Sequence, residues 1–240
     1  MASSPSNGRV VFISGATGSL GRAAAAAFAT DGDRVALCGR DGARLAAIAS
    51  ELRLPNDRWA PVVADLVDAD QAANASRQAT DAFGRIDILL HLVGGFASGV
   101  PIVDLDRAAT QSMLDQHIWT TLNLVQAVVP GMVERGWGRV VAVATTAAVT
   151  APAKSGPYAA AKAAQEVLLR SLAKEVSASG VTVNVIALRA IDERHERETA
   201  PSPKNAASTT PEEAVAVIRF LCSDAAAAIN GGRIALDGRS

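Results

Sequence analysis

A tyrosine and a lysine stand four residues apart in the stretch SGPYAAAKAA, residues 155–164. Tyr158 is the only tyrosine in 240 residues, and Lys162 follows it in an alanine-rich helical stretch. Residues i and i+4 of a helix lie on one face, so both side chains point the same way. A free phenol has a pKa of about 10, and a nearby positive charge favours its ionised form. The pair is therefore typical of acid–base catalysis, the alternative being an accidental pair on a helix surface.

A second candidate site is the glycine-rich stretch SGATGSLGR, residues 14–22. Gly15, Gly18 and Gly21 lie three apart between a predicted strand and a predicted helix. Glycines there allow a tight turn, a close approach of the backbone to a phosphate, and close packing of helix on strand. The helix N-terminus then favours a pyrophosphate. The pattern indicates a dinucleotide site, and an ordinary glycine-rich turn is the alternative.

The ends of the next two predicted strands bear on the choice of dinucleotide. The second strand ends at Arg40, with no carboxylate before Asp41. A carboxylate here bonds the ribose hydroxyls of NAD, whereas an arginine accommodates the 2′-phosphate of NADP. Arg40 therefore favours NADP(H), with NAD(H) as the second possibility, unless it is a solvated surface residue. Asp65, after the third strand, either accepts a hydrogen bond from an adenine amino group or caps the next helix.

Strands and helices alternate along the whole chain. Short apolar runs predict strands at residues 10–14, 34–38, 60–64, 86–93, 138–145, 181–188 and 233–236. Helices are predicted at residues 20–30, 43–52, 68–83, 105–133, 157–177 and 211–223. Several strands are continuous apolar runs, which suit strands covered by helices on both faces. We therefore expect a single α/β domain over residues 9–240: a Rossmann-type, doubly wound parallel sheet of about seven strands in a three-layer αβα sandwich.

Composition and charge exclude several classes of protein. Hydrophobic residues make up 49% of the chain and the net charge is −1, which argues for a globular protein that binds neither nucleic acid nor a membrane surface. The polar N-terminus has no apolar run of signal-peptide length, and no later stretch reaches the roughly 18 uninterrupted apolar residues of a membrane span. Cys38 and Cys222 lie far apart in apolar contexts, so we expect buried free thiols in a reducing compartment. The prediction is a cytoplasmic protein with a flexible tail at residues 1–8.

One connection is long and irregular. Residues 189–210 are charged and contain two prolines. Long connections are usually functional lids or disordered segments, and we predict that this one is the substrate loop. Its charged run, residues 194–198, is the kind that is most often simply solvated.

Taken together, these motifs closely resemble those of the short-chain dehydrogenases/reductases, over about residues 9–238. The resemblance rests on the glycine-rich turn, the Tyr158–Lys162 pair, and the stretches LLHLVGGF (89–96), GRVVAVATT (138–146) and 210–238. The glycine spacing is nearer the extended branch of that family, and Ser19 stands where classical members have glycine. His91 and Leu92 replace two asparagines that close the family's fourth strand.

The resemblance implies a role for each candidate catalytic residue. Tyr158 would be the general acid or base, and Lys162 would activate it and bind the nicotinamide ribose. A hydroxyl would bond the substrate oxygen; this falls on Thr145 or Thr146, with Thr145 favoured by alignment, the alternative being that both are merely strand-end threonines. His117 stands where the family often has an asparagine that orders a relay water, with a core or interface position as the alternative.

The resemblance also implies a set of cofactor contacts and marks one departure. The implied cofactor-binding residues are Gly15, Thr17, Gly18, Ser19, Leu20, Gly21, Arg40, Asp65, Leu66, Val93, Gly94, Lys162 and Ile191. After the sixth strand, family members generally carry Pro-Gly and then a threonine that contacts the nicotinamide amide. This chain has Leu188-Arg189 and Glu193 instead, and that carboxylate either weakens cofactor binding or recruits a basic substrate. The three histidines share no metal-ligand spacing with a carboxylate or cysteine, so no metal site is predicted.

The predicted function is NADP(H)-dependent reduction of a carbonyl, or oxidation of the alcohol, on a small or medium apolar molecule. One alternative is a cofactor-binding regulator with little catalysis, suggested by the departures from the family pattern. Another is reduction of a C=N bond or a pterin-like ring. The resemblance further implies homodimers or homotetramers that pair through the helices at 105–133 and 157–177.

Overall fold

The computed structural model describes residues 8–237, so the predicted tail lies outside the described residues apart from Gly8. Its strands are β1 Val10–Ser14, β2 Arg34–Gly39, β3 Trp59–Val63, β4 Ile88–His91, β5 Gly138–Thr145, β6 Val181–Leu188 and β7 Arg233–Ala235. They form a parallel sheet in the order β3-β2-β1-β4-β5-β6-β7. The chain crosses over between β1 and β4, and ligands of such sheets bind at this switch point. The predicted Rossmann-type fold is confirmed.

Helices cover both faces of the sheet. They are α1 Ser19–Thr30, α2 Gly42–Glu51, α3 Ala69–Phe83, α4 Arg107–Leu114, α5 Thr120–Arg135, α6 Ala147–Thr150, α7 Gly156–Glu175, α8 Glu196–Thr199 and α9 Pro211–Leu221. One core cluster includes Phe28 of α1 and Ile218 of α9, and the other includes Leu124 of α5 and Leu169 of α7. Burial of each large apolar side chain contributes about 1.5–3 kcal/mol, so both layers hold the sheet in place.

The register brings the candidate site residues to one edge of the sheet. Ser14, the last residue of β1, lies beside Cys38 of β2 and His91 of β4. Thr145, the last residue of β5, lies beside Leu188 of β6. Because all these strands run the same way, their carboxyl ends meet at this edge.

The predicted helix at residues 105–133 is not continuous. A π turn at Asp115–Trp119 separates α4 from α5, and Thr120 N–H bonds the carbonyl of Asp115 five residues back. A π turn inserts one residue into the helix, and the prediction of one continuous helix did not include that insertion. Such insertions are frequent at functional sites, and this one contains His117.

The predicted substrate loop is held at both ends. Ile191 forms a parallel bridge with Thr209. The carboxylate of Asp192 accepts hydrogen bonds from the backbone N–H groups at the start of α8. Arg197 then pairs with Glu213 of α9. The segment is therefore held by hydrogen bonds and an ion pair, and it is not a structureless loop.

Candidate active site

The glycine-rich turn is closely packed between β1 and α1. A Cβ atom at Gly21 would lie 2.3 Å from the carbonyl oxygen of Gly15, and one at Gly15 would lie 2.9 Å from the carbonyl of Leu92. Gly15 also has a φ of +75°, which favours glycine. Gly18 is the N-cap of α1 and provides no side-chain cap. The first N–H groups of α1 are therefore available to an anion.

A cleft of about 420 Å³ opens at the switch point, directly beside this turn. It is lined by eight predicted cofactor residues, namely Gly15, Thr17, Gly18, Arg40, Asp65, Leu66, Val93 and Gly94. Gln116 and Thr120 also line it and were not predicted. Gln116 lies in the π turn and Thr120 directly follows it, and sequence reasoning had missed that turn.

Five predicted cofactor residues do not line this cleft, namely Ser19, Leu20, Gly21, Lys162 and Ile191. Leu20 and Gly21 are buried in the first turn of α1. Lys162 lies behind Gly94, at which a Cβ atom would come within 3.5 Å of its Nζ. Ile191 is 37% exposed on the loop after β6.

Ser19 is bonded to the loop that follows β6. Its Oγ donates a hydrogen bond of 2.7 Å to Glu193 Oε1. Because Ser19 is the first residue of α1, this bond brings a carboxylate to the helix end that favours anions. The departure noted in the sequence at position 193 therefore bears directly on the candidate phosphate site.

Tyr158, Thr145 and Lys162 converge beside the cleft. Tyr158 lies in the first turn of α7 and is half-buried, with a side-chain hydrogen bond to Thr145 at the end of β5. Thr145, and not Thr146, thus stands at the phenol. Thr145 Oγ1 also accepts a bond from Ala147 N–H, which fixes its orientation.

Burial dominates the electrostatics of the phenol. It raises the pKa of Tyr158 above its ordinary value, and the hydrogen bond to Thr145 only partly opposes this. In the chain by itself, the charge of Lys162 does not offset this rise as we predicted. Tyr158 is a proton donor at neutral pH in this state.

The Lys162 ammonium is enclosed by protein. Only 4% of the residue is exposed, and Nζ donates to the carbonyl of Val143 at 2.8 Å and to Gln165 Oε1 at 3.0 Å. Burial lowers the pKa of Lys162 to about 7, and the nearby carboxylate of Glu166 partly opposes that shift. The amine therefore exchanges its proton near neutral pH, which suits a group that controls a neighbouring phenol.

Two rings flank Tyr158. Phe96 packs edge-on at 5.0 Å between centroids, and His117 does so at 5.5 Å. Phe96 is 69% exposed, so its ring forms part of the site's mouth. Sequence reasoning missed Phe96, although an aromatic residue directly after Gly94-Gly95 was a usable signal.

His117 is fully buried, and its bonding determines its tautomer. Nε2 lies 3.0 Å from the carbonyl oxygen of Gly95, which can only accept, so Nε2 carries the proton. Nδ1 has no hydrogen-bond partner among residues 8–237. Burial, followed by the charge of Lys162, lowers the pKa of His117 to about 4. The ring is therefore neutral at neutral pH, with one free acceptor near Gly94.

His91 has two hydroxyl partners and lies behind the cleft wall. Nδ1 lies 2.9 Å from Ser14 Oγ, and Nε2 lies 3.4 Å from Thr120 Oγ1. Burial, with the nearby charge of Lys162, lowers the pKa of His91 to about 3.

The two buried histidines are expected to make stability depend on pH. In the unfolded chain each binds a proton near pH 6.5, whereas in the folded chain the pKa values are about 3 for His91 and about 4 for His117. As the pH falls below 6.5, the free energy of unfolding should fall by about 1.4 kcal/mol per pH unit for each histidine. Urea unfolding between about pH 7 and about pH 5 measures this slope. His91→Asn should lower the slope, and an unchanged slope would contradict the assignment.

Three further observations concern the thiols, possible metal sites and possible membrane spans. Both cysteines are buried, and burial raises the pKa of each thiol to about 12. Within residues 8–237 no group of three His, Cys, Asp or Glu side chains is arranged to hold a metal ion. The helices in this range are all too short or too polar to span a membrane.

A comparison with protein families agrees with this geometry. The family model for short chain dehydrogenases matches residues 9–203. The chain belongs to this family. Its members are oxidoreductases that use NAD(H) or NADP(H).

Curated relatives and solved structures match over nearly the full length of the chain. D-threitol dehydrogenase of Mycolicibacterium smegmatis is 31% identical, over 97% of this chain and 92% of its own length. An A-factor type gamma-butyrolactone 1'-reductase of Streptomyces virginiae is 28% identical, over 96% and 94%. The crystal structure of a short chain dehydrogenase from Bacillus anthracis superposes with a TM-score of 0.86 at 31% identity, over 96% of this chain and 95% of that one.

The residues at the cleft suit the family's cofactor. Gly15 and Gly21 leave no room for a side chain, and the uncapped start of α1 meets the cleft where a pyrophosphate would need backbone donors. Gly15, Gly18, Arg40 and Gly94 would hold the dinucleotide along the cleft, with Lys162 behind its nicotinamide end.

Proposed function

We propose that this protein is an NADP(H)-dependent oxidoreductase that reduces a carbonyl, or oxidises the corresponding alcohol, of a small or medium apolar molecule. The observation that carries the proposal is the convergence of Tyr158, Thr145 and Lys162 beside a cleft that suits a dinucleotide.

Each of the three side chains has a distinct role. Tyr158 gives its proton to the substrate oxygen in reduction and takes it back in oxidation. The hydroxyl of Thr145 bonds the same oxygen and stabilises the charge that develops on it. Lys162, whose pKa is about 7, favours loss of the phenolic proton when it is charged. The nicotinamide, when bound, supplies or accepts the hydride.

The preference for NADP(H) is supported by the groups around Arg40. Arg40 is exposed in the cleft, and no hydrogen bond or ion pair engages it within the described part of the chain. The neighbouring carboxylate of Asp41 accepts from Arg44 N–H as the cap of α2. Asp65 Oδ1 accepts from Val67 N–H, while Asp68 caps α3, so the cap alternative for Asp65 is wrong. A 2′-phosphate would thus meet a free guanidinium.

The apolar substrate is supported by the surface around Tyr158. Phe96 is exposed and packs edge-on against Tyr158, and Ile102 is exposed and packs by Gly156, two residues before Tyr158. Further exposed apolar side chains are Val103 on the loop after β4, Val149 on α6 and Ile191 on the loop after β6. The loop after β4 is joined to the chain at the start of α7, because Gly99 N–H donates to the carbonyl of Lys154 and Ile102 packs by Gly156. Exposed apolar side chains grouped beside a reactive residue are typical of a binding surface for an apolar ligand.

Titration with NADPH and with NADH tests the proposal. Binding is followed by quenching of the three tryptophans, with thermal stabilisation as a check. We expect NADPH to bind at least about tenfold more tightly than NADH. Arg40→Ala should remove that preference, whereas Arg77→Ala, an exposed arginine on α3, should keep it. Absence of binding by either nucleotide would overturn the proposal.

Glu193 is expected to weaken binding of the cofactor. Its carboxylate lies at the start of α1, where a pyrophosphate would bind, so like charges oppose each other there. Glu193→Gln keeps an acceptor for Ser19 and removes the charge. We expect the Kd for NADPH to fall by about threefold to tenfold at low salt, and less at high salt. Glu198→Gln, on α8, is the control, and equal effects of both variants would contradict a local role.

The same hydrogen bond favours a second candidate function. In a cofactor-binding regulator with little catalysis, Glu193 would weaken nucleotide binding at the start of α1 and leave little turnover. Tight binding of NADPH together with turnover of any ketone or aldehyde would exclude this candidate.

Self-association through α5 and α7 is supported by an apolar groove between them. The groove has a volume of about 420 Å³, and its apolar lining includes Leu122, Val125, Val129, Leu168 and Leu172. Val167 and Leu168 are 54% and 38% exposed. We expect a dimer or tetramer by analytical ultracentrifugation, and Leu168→Glu should shift it to monomer. A monomeric wild-type protein would contradict this.

A further inference from the structure

Lys162 is joined to the π turn through two buried side chains. Its Nζ donates to Gln165 Oε1 at 3.0 Å, and Gln165 Nε2 donates to Thr121 Oγ1 at 2.7 Å. Thr121 Oγ1 in turn donates to the backbone carbonyl of His117. Gln165 and Thr121 are each 1% exposed, so water does not compete for these bonds.

The direction of this chain of bonds is determined at both ends. The carbonyl of His117 can only accept, so the Thr121 hydroxyl donates its single proton there. Thr121 Oγ1 must therefore accept the hydrogen bond from Gln165 Nε2. An ammonium can only donate, so it requires the amide oxygen of Gln165. The amide thus has one orientation that satisfies both neighbours.

We propose that Gln165 is a positioning residue for Lys162: its amide oxygen holds the ammonium against the cleft wall at Gly94, and its amide nitrogen anchors that arrangement on Thr121. An ammonium has three protons. Two of them are donated to the carbonyl of Val143 and the amide oxygen of Gln165, so one N–H of Nζ remains to donate to a group outside this pocket. Without the amide oxygen, a buried charge would lose one of its two acceptors and its fixed direction. This inference rests on the proposed function, in which Lys162 controls the phenol.

Several titratable groups face Lys162 besides this amide. Tyr158 and Glu166 lie on the same helix, His91 lies at the end of β4, and His117 lies in the π turn. Only Glu166 carries a charge that stabilises the ammonium, and Arg233 already pairs with that carboxylate. The neutral acceptors of Lys162 therefore matter for its proton affinity.

The test is a direct titration of Lys162 by NMR. The chain has four lysines, so a carbon-13 label at the lysine ε carbon produces four signals, and Lys162→Met identifies one of them. The wild-type midpoint is expected at about 7. Gln165→Leu should lower that midpoint by about one pH unit, because an acceptor for the charged form is lost. Gln165→Glu should raise it, because a carboxylate replaces a neutral acceptor.

A second pair of variants keeps the test decisive if Gln165→Leu fails to fold. Thr121→Val removes the anchor of the amide and should also lower the midpoint. Thr182→Val removes a buried hydroxyl that has no hydrogen-bond partner among the described residues, and it should leave the midpoint unchanged. The proposal is overturned if Gln165→Leu leaves the midpoint in place, or if the leucine and glutamate variants move it in the same direction. If Gln165→Leu does not fold, equal midpoints for the two threonine variants overturn it.

This outcome is separate from that of the proposed function. The NMR titration needs neither cofactor nor substrate. If the protein does not bind NADPH, the proposed function is overturned, but the titration still tests the role of Gln165. An unchanged midpoint would overturn that role while NADPH binding and the proton transfer by Tyr158 stand.

Discussion

Tyr158→Phe is expected to lower turnover by about 10²–10⁴-fold, because the substrate oxygen loses its proton donor. The Kd for NADPH should change by less than about threefold, since the phenyl ring keeps its packing against Phe96 and His117. Turnover is followed as NADPH absorbance with a panel of alkyl and aryl ketones and aldehydes. The panel first identifies a compound that the wild-type protein reduces, and the variant is then compared on that compound.

Two adjacent threonines supply a matched control for this experiment. Thr145→Val removes the hydroxyl that bonds Tyr158 and should lower kcat by about 10-fold to 10³-fold. Thr146→Val makes the same chemical change one residue further on and should leave kcat within about twofold. Wild-type turnover in Tyr158→Phe would refute the mechanism. Equal losses in the two threonine variants would refute the assignment of Thr145.

Gly21→Ala is expected to disrupt the first turn of α1. The added Cβ would lie 2.3 Å from the Gly15 carbonyl oxygen and 2.7 Å from Ala16 Cα. These contacts are with backbone, which cannot swing aside, so β1 and α1 must separate. We expect Tm to fall by roughly 5–10 °C and NADPH binding to be lost. Thermal unfolding by circular dichroism and the fluorescence titration measure the two effects.

Gly18→Ala separates the two roles of this turn. A Cβ at Gly18 would lie 3.5 Å from the Gly15 carbonyl, which is an ordinary contact, and φ is −79°. The variant should therefore fold nearly as the wild type does. NADPH affinity should still fall by at least about tenfold, because a methyl group would stand where the backbone approaches a phosphate. If Gly18→Ala binds NADPH normally, the turn does not hold the pyrophosphate.

Local patterns in the sequence predicted much of the fold. The bounds of β1, β5 and β6 agree with their predicted ranges at both ends, because each is rich in β-branched and small apolar residues over a length typical of a strand. The π turn was not predicted, since a single inserted residue shifts the apolar pattern by only one position within a long helix. β4 is shorter than predicted, because the chain leaves the sheet soon after His91, at the contact of Leu92 with the Gly15 turn.

The sequence by itself determined which chemistry is available. Residues four apart on a helix share a face, and glycines between a strand and a helix allow a tight turn, whatever surrounds them. Tyr158, Lys162 and the glycine turn were found for that reason. Only the tertiary structure decided their electrostatics and their partners. Glu193 reaches Ser19 across 174 residues, and Gln165 reaches Thr121 across 44, because the packing of α7 and the loop after β6 onto the sheet brings them together. Spacing along the chain carries no information about such contacts, which depend on how separate elements pack.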